Sequence, residues 1–186
     1  MSLIFIFSER LQQWSTRKNI LIILTLFILF IFSLPILYLL YPPANDMKSL
    51  DDPVIYTTAE IYEILESWGE TGRFYQMWFH VTWDLAVPIL YALFLAFILS
   101  WLFQQSLKPE NPLQKSNLLA ILGGMFDLLE NLSIFTLILS YPNQIELLAL
   151  FKNCFTALKY LLGIVIFCLI FLGLLILARN RITKKD

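Results

Sequence analysis

Residues 19–41 read NILIILTLFILFIFSLPILYLLY, a segment in which polar side chains are rare. A helix needs about 20 predominantly apolar residues to cross the hydrocarbon core of a bilayer. Three further segments of similar length and composition follow at residues 81–103, 117–140 and 155–178. The sequence therefore predicts an all-α membrane protein, a bundle of four transmembrane helices that forms one domain over residues 1–186.

The composition of the whole chain agrees with this prediction. Hydrophobic residues make up 59% and charged residues 15%, with a mean hydropathy of +0.72. Soluble domains are closer to half apolar and about a quarter charged. The formal net charge of −1 argues against a nucleic-acid partner, which requires a basic surface. Cys154 and Cys168 are too far apart along one helix to form a disulfide.

Lysine and arginine are unevenly distributed among the segments that connect these helices. They are frequent in the N-terminal arm, the second connection and the C-terminal tail, at Arg10, Arg17, Lys18, Lys108, Lys115, Arg179, Arg181, Lys184 and Lys185. The first and third connections carry only Lys48, Arg73 and Lys152. Because short cation-rich segments stay in the cytoplasm, we predict an integral membrane protein with both termini cytoplasmic.

The connection at residues 42–80 is expected on the outer side and is acidic. Within it, Thr57 and Glu60 have the spacing of a capping box that opens a short helix. The apolar residues Ile61, Ile64, Leu65 and Trp68 then fall on one face of that helix. We predict an amphipathic helix that packs on the outer mouth of the bundle; the alternative is a solvated loop with a marginal helix.

The third apolar segment contains the densest group of polar residues. Asp127, Glu130 and Asn131 share one face of a helix, since residues three and four apart are neighbours. Ionisable groups inside a spanning helix are costly, and each is a candidate functional residue. Two carboxylates near the middle of a membrane cannot both stay ionised without a partner.

The second and fourth apolar segments add further candidates. Asp84 and Tyr91 flank Pro88 on one face of the second helix, and His80 lies one turn earlier on the same side. Lys159, on the fourth helix, is expected at the height of Asp84. We expect it to point inward and to neutralise Asp84 or Glu130, although a lysine can also extend to the membrane surface.

Together these residues predict a polar pocket that opens toward the outer leaflet. Its candidate ligand-binding or proton-handling residues are Arg73, His80, Asp84, Tyr91, Asp127, Glu130, Asn131 and Lys159. The alternative is a network of ion pairs that only fixes the order of the helices. With a single histidine and no metal-binding spacing, the sequence predicts no metal site and no cofactor.

Three short motifs indicate a resemblance. They are Gly69, Gly72, Arg73 and Tyr75 in the first connection; Asp84, Pro88 and Tyr91 in the second helix; and Asp127, Glu130 and Asn131 in the third. This combination resembles uncharacterised four-helix integral membrane proteins of bacteria and archaea. The resemblance implies the four-helix architecture and a location in a prokaryotic cell membrane, and it implies no particular activity.

Three functional hypotheses follow. The leading one is binding of a membrane lipid or another amphiphile in the outer polar pocket, and it is favoured over catalysis. The second is a lipid-modifying enzyme that uses Asp127 and Glu130 as acid and base. The third is a structural or assembly subunit whose polar residues pair with another membrane protein or with a second copy of the chain.

Overall fold

The structure is a computed structural model that describes residues 3–40, 47–52 and 54–183. These residues form helices, turns and short connections, with no β-strand among them. The helices are α1 (Leu3–Trp14), α2 (Arg17–Ile31), α3 (Leu34–Leu40), α4 (Thr58–Ser67), α5 (Gly69–Val81), α6 (Trp83–Ser106), α7 (Asn117–Ser140) and α8 (Glu146–Ile182). A 3₁₀ turn at Pro112–Lys115 precedes α7.

Four helical stretches of the described chain are long and apolar enough to cross a membrane. They are Arg17–Ile36, Gly69–Ser106, Pro112–Ser140 and Glu146–Ile182. The all-α prediction and the prediction of four apolar helices are therefore confirmed. Helix α7 has the predicted bounds, whereas α8 begins nine residues before the predicted start at 155. The predicted end of the first segment, Tyr41, lies outside the described residues.

The first connection contains more helix than its composition suggests. Its residues 42–46 and 53 lie outside the described part of the chain. Helix α4 begins with the predicted capping box, in which Thr57 and Glu60 bond reciprocally to each other's backbone. Gly69 has a φ of +63°, a conformation that glycine adopts without strain. This turn separates α4 from α5, so residues 69–80 are helical where the sequence predicted a connection.

Contacts divide the chain into two compact units. Unit 1 comprises Met1–Phe27, Leu90–Gly123 and Leu161–Asp186, and unit 2 comprises Ile28–Ile89 and Gly124–Tyr160. Helices α2, α6, α7 and α8 contribute residues to both. That the whole chain forms one domain stays a prediction.

Unit 1 has an apolar core and a buried polar junction. The core contains Leu11, Ile20, Ala96, Phe97, Leu99, Phe103, Ala120 and Ile166. At the junction, Ser8 Oγ donates to Asn117 Oδ1 at 2.8 Å, and Asn117 Nδ2 donates to Ser100 Oγ at 2.9 Å. These bonds join α1, α6 and α7 and satisfy polar groups that would be costly to bury alone.

Unit 2 is built around the apolar face of α4. This face packs with residues of α7, α8 and the first connection in a core of Leu50, Tyr56, Ile61, Tyr62, Ile64, Leu65, Trp68, Ile134, Leu137, Ile138 and Ala149. Glu60, Glu63 and Glu66 of the same helix are exposed. Polar bonds reinforce the packing: Tyr62 Oη donates to the carbonyl of Asn143 at 2.9 Å, and Trp68 Nε1 donates to that of Lys48 at 3.0 Å.

Candidate functional site

Lys159 is the centre of a buried ionic network in unit 2. Its Nζ lies 2.5 Å from Asp51 Oδ1, 3.1 Å from Asp127 Oδ1 and 2.6 Å from Glu130 Oε2. The lysine side chain is 9% exposed. The ammonium donates hydrogen bonds to Asp51 and Asp127 and forms an ion pair with Glu130. Helices α7 and α8 supply three of these four residues, and the first connection supplies Asp51.

The second oxygen of Glu130 has its own partners. Thr156 Oγ donates to Glu130 Oε1 at 2.5 Å, and Lys152 Nζ lies 3.8 Å from the same oxygen. The side chains of Lys152 and Glu130 are both fully buried. Lys152 also donates to the carbonyl of Val54 at 3.4 Å and lies 5.1 Å above the ring of Tyr56. Glu130 is therefore shared between two buried lysines.

The charges of this network do not cancel. Three carboxylates, those of Asp51, Asp127 and Glu130, face the ammonium groups of Lys152 and Lys159. With every group ionised, one negative charge is left over. Oxygens of the three carboxylates lie within 4.8 Å of one another, a spacing that could hold a metal ion. Because Lys159 Nζ lies within 3.1 Å of all three residues, its ammonium already supplies the cation there.

His80 and Asp84 form a second buried pair in unit 2. His80 Nδ1 lies 2.8 Å from Asp84 Oδ2, although Thr82 separates their helices α5 and α6. Asn131 Nδ2 of α7 donates to the main-chain carbonyl of Asp84 at 2.8 Å. Pro88 cannot donate to that carbonyl within the helix, so the asparagine satisfies an acceptor that proline would leave open. Among the described residues, Asn131 Oδ1 has no hydrogen-bond partner.

A cavity of about 290 Å³ lies in unit 2. The described residues that line it are Leu34, Met47, Ser49, Asp51, Asp52, Tyr75, Gln76, Phe79, Trp83 and Asp84. Both polar clusters contribute a residue to its lining: Asp51 belongs to the Lys159 network, and Asp84 belongs to the pair with His80. Three of these described lining residues carry a carboxylate, and three carry an aromatic ring.

The aromatic residues of this wall stack in sequence. The ring centroids of Tyr75 and Phe79 are 6.4 Å apart, and those of Phe79 and Trp83 are 5.4 Å apart. Trp83 also stacks on Phe30 at 5.6 Å, and its Nε1 donates to Ser33 Oγ at 3.0 Å. The spacing of four residues places Tyr75 and Phe79 on one face of α5. Trp83 begins α6, and its contacts with α2 and the following turn hold it in position.

Tyr56, just before α4, and Glu60, in the first turn of α4, have pKa values that are shifted by their surroundings. Burial raises the pKa of Tyr56, and the negative charges of Asp52 and Glu60 raise it further. The phenol therefore stays protonated at neutral pH beneath the Lys152 ammonium. Hydrogen bonds from Thr57 lower the pKa of Glu60, which keeps the capping carboxylate ionised.

The structure brings together most of the residues singled out from the sequence. Asp127, Glu130 and Lys159 meet in the network, and His80, Asp84 and Asn131 meet in the second cluster. Lys159 pairs with Glu130, one of its two expected partners, and also with Asp127, while the partner of Asp84 is His80.

Arg73 and Tyr91 are placed differently. Arg73 donates to the carbonyl of Leu65 at 2.9 Å and its guanidinium lies 4.1 Å above the ring of Tyr141. Arg73, on α5, is therefore bonded to the last turn of α4. Tyr91 is half-buried on α6 and belongs to unit 1, whereas the other candidates belong to unit 2.

The candidate site residues identified from the sequence did not include Asp51, Lys152 or Thr156. Asp51 is one of several acidic residues in the first connection, and nothing in its local sequence distinguishes it. Lys152 and Thr156 precede Lys159 at spacings of seven and three residues on α8. Helical periodicity places Lys152, Thr156 and Lys159 on one side of α8. This spacing is the feature of the sequence from which the three residues could have been grouped.

Known proteins offer no guide to this site. Comparison with protein families, with curated proteins and with solved structures finds no match to this chain. What the site does must therefore be inferred from its own geometry and charge.

Proposed function

We propose that this chain is an integral membrane protein that binds a lipid or another amphiphile through its polar headgroup in the cavity of unit 2. Both termini lie in the cytoplasm, and the first connection with helix α4 lies on the outer side. The uneven distribution of lysine and arginine supports this orientation. The four long apolar helices support insertion into a bilayer.

The cavity is the observation that carries the binding proposal. Ligand sites are concave, mostly preformed and lined by apolar or aromatic groups with a few polar ones. The 290 Å³ cavity is concave and more polar than this norm, since five of its described lining residues are apolar or aromatic and five are polar. Its volume is at the lower end of the range of about 300–1,000 Å³ for small-molecule sites. A headgroup fits in such a space, with the acyl chains outside it.

The ionic network supports the same function by fixing one wall of the cavity. Asp51 belongs to a connection between helices, which on its own would be free to move. Its bond to Lys159 ties that connection to α8. Because Asp127 and Glu130 hold the same ammonium, the network positions Asp51 at the cavity.

The two alternative functions have less support. As acid and base of an enzyme, Asp127 and Glu130 would have to reach a substrate, but neither is among the described residues that line the cavity. As a subunit, the chain would need polar groups that await a partner. Lys152, Lys159 and Glu130 instead have partners within the chain.

Single-cysteine labelling tests both the orientation and the site. With Cys154 and Cys168 replaced by alanine, Gln76→Cys should react with a maleimide when the cavity is empty. In purified protein stripped of lipid, the reaction at this position should slow several-fold when a total lipid extract is added, because a bound headgroup covers the cavity. The measurement is the rate of labelling, followed by mass spectrometry.

Two positions provide the controls. Glu63→Cys lies on the exposed face of α4 and should react on intact cells at a rate that lipid does not change. Lys184→Cys, in the C-terminal tail outside the described residues, should react only after permeabilisation. Labelling of Lys184→Cys on intact cells would overturn the orientation, and equal rates at Gln76→Cys with and without lipid would overturn the binding site.

A further inference from the structure

We propose that the headgroup bound in the cavity of unit 2 carries a positive charge on an ammonium group, such as the trimethylammonium of choline. This inference rests on the proposed binding function and specifies its ligand. It follows from three properties of the cavity: the sign of the charges that line it, the aromatic rings beside them and the charge left over in the adjoining network.

All charged side chains that line the cavity have the same sign. Asp51, Asp52 and Asp84 contribute carboxylates, and no lysine or arginine is among the described lining residues. A cleft with one sign of charge and low-dielectric walls concentrates ions of the opposite sign. An anionic headgroup, such as a phosphate without a cation, would be repelled there.

The aromatic residues make an organic cation a better ligand than a metal ion. The rings of Tyr75, Phe79 and Trp83 line the same cavity as the carboxylates. Aromatic faces attract cations, and groups of such rings recognise quaternary ammonium ligands. A small hydrated metal ion would gain little from the rings, whereas the methyl groups of an alkylammonium can pack against them.

The network beside the cavity increases the preference for a cation. It holds one more carboxylate than ammonium groups, and Asp51 belongs both to it and to the cavity wall. His80 is the described cationic side chain that can oppose Asp84, and it is charged only when protonated. Asp52 is exposed and has no lysine or arginine within ion-pair distance among the described residues. With every group ionised, a ligand with one positive charge would balance the excess.

Choline and its neutral isostere separate charge from shape. Purified protein, delipidated in a neutral maltoside detergent, is titrated at constant ionic strength with choline chloride or with 3,3-dimethyl-1-butanol, in which carbon replaces nitrogen. Thermal unfolding, followed by tryptophan fluorescence, reports binding because a ligand of the folded state raises Tm. We expect choline to raise Tm at millimolar concentration and the neutral alcohol to leave it unchanged.

Matched charge-neutralising variants locate the effect. Asp52→Asn removes one wall charge from an exposed side chain and should weaken choline binding about tenfold. Glu63→Gln removes the same charge from the exposed face of α4 and should leave the affinity unchanged. Phe79→Leu should also weaken binding, because it removes a ring but no charge.

A second arm separates free ammonium compounds from lipids. Protein in nanodiscs of phosphatidylcholine is compared with protein in nanodiscs of phosphatidylglycerol, and lipid that remains bound is identified by native mass spectrometry. Retention of phosphatidylcholine supports a lipid headgroup as the source of the ammonium, whereas a choline response without lipid retention supports a free ammonium compound.

Three results would overturn the inference. They are an equal Tm increase with sodium chloride, an equal increase with the neutral alcohol, and no increase with choline in wild-type protein. The proposed function would survive the first two if lipid still protects Gln76→Cys from the maleimide. Failure of that protection would remove the binding function itself, so the two failures are distinguishable.

Discussion

Replacing Lys159 with methionine should strongly destabilise the protein. The substitution leaves the carboxylates of Asp51, Asp127 and Glu130 within 4.8 Å of one another without the ammonium between them. Removing one partner of a buried ion pair costs about 3–5 kcal/mol, since the remaining charge is buried alone. We expect Tm in detergent to fall by roughly 10 °C or more, at about 2–4 °C for each kcal/mol.

Three further measurements identify the cause of this loss. Lys108→Met removes a lysine from an exposed position and should leave Tm almost unchanged. Adding Glu130→Gln to Lys159→Met should recover part of the loss, because it removes one of the repelling charges. Calcium should stabilise Lys159→Met and not the wild type, since carboxylates at this spacing are suitable ligands for it. If Lys159→Met unfolds at the wild-type temperature, the ionic network does not stabilise unit 2.

The double variant Asp127→Asn, Glu130→Gln should fold with reduced stability and lose ligand binding in the cavity. With every group ionised, the three carboxylates and two ammonium groups of the wild-type network have a net charge of −1. On the same count, the double variant leaves Asp51 alone with Lys152 and Lys159, and its net charge is +1. A unit charge about 8 Å away contributes roughly 2 kcal/mol at an effective dielectric constant of about 20. Choline affinity should therefore fall by more than tenfold.

This prediction separates a site from a purely structural network. Amides keep the shape of the carboxylates and most of their hydrogen bonds, so a structural network should tolerate them with ligand content unchanged. Glu63→Gln, Glu66→Gln provides the control, because it removes two charges from the exposed face of α4. Unchanged choline affinity in the Asp127→Asn, Glu130→Gln protein would show that the two acids have no part in binding.

The sequence was sufficient for the helices because membrane spans leave a strong signal. Twenty or more apolar residues with few charges are rare outside a bilayer, and α7 has the bounds predicted for it. Helix α5 was missed for the same reason, since residues 69–80 are polar and aromatic and carry no long apolar run. Its helical state follows from the turn at Gly69 and from its continuity with α6.

The candidate site was predictable only in part. Asp127, Glu130 and Asn131 could be grouped because helical spacing alone puts them on one face. Asp51 could not, since it meets Lys159 across 108 residues of sequence. The path of a loop is determined by tertiary contacts that are not evident in its own sequence. The sequence around Asp51 therefore does not indicate that Lys159 is its partner. The cavity was likewise out of reach, because Ser49 and Gln76 line it without any motif.

Lys152 shows how a helix boundary affects the prediction of a site. With the fourth helix predicted to start at 155, Lys152 fell just outside it, near the membrane surface. The helix in fact starts at Glu146, so Lys152 lies within its second turn and is fully buried beside Glu130. Because the predicted start of this helix was nine residues too late, the buried Lys152 was assigned to a connection near the surface.

The most direct test of binding in the cavity is the identity and amount of amphiphile that copurifies with the protein in mild detergent. Gln76→Trp should fill the cavity with a large side chain, whereas Thr71→Trp places the same side chain at an exposed position of the same helix. Mass spectrometry of the extracted protein should find one amphiphile, close to one molecule per chain, in the wild type and in Thr71→Trp. We expect Gln76→Trp to fold and to lose it; equal amounts in all three proteins would contradict binding in this cavity.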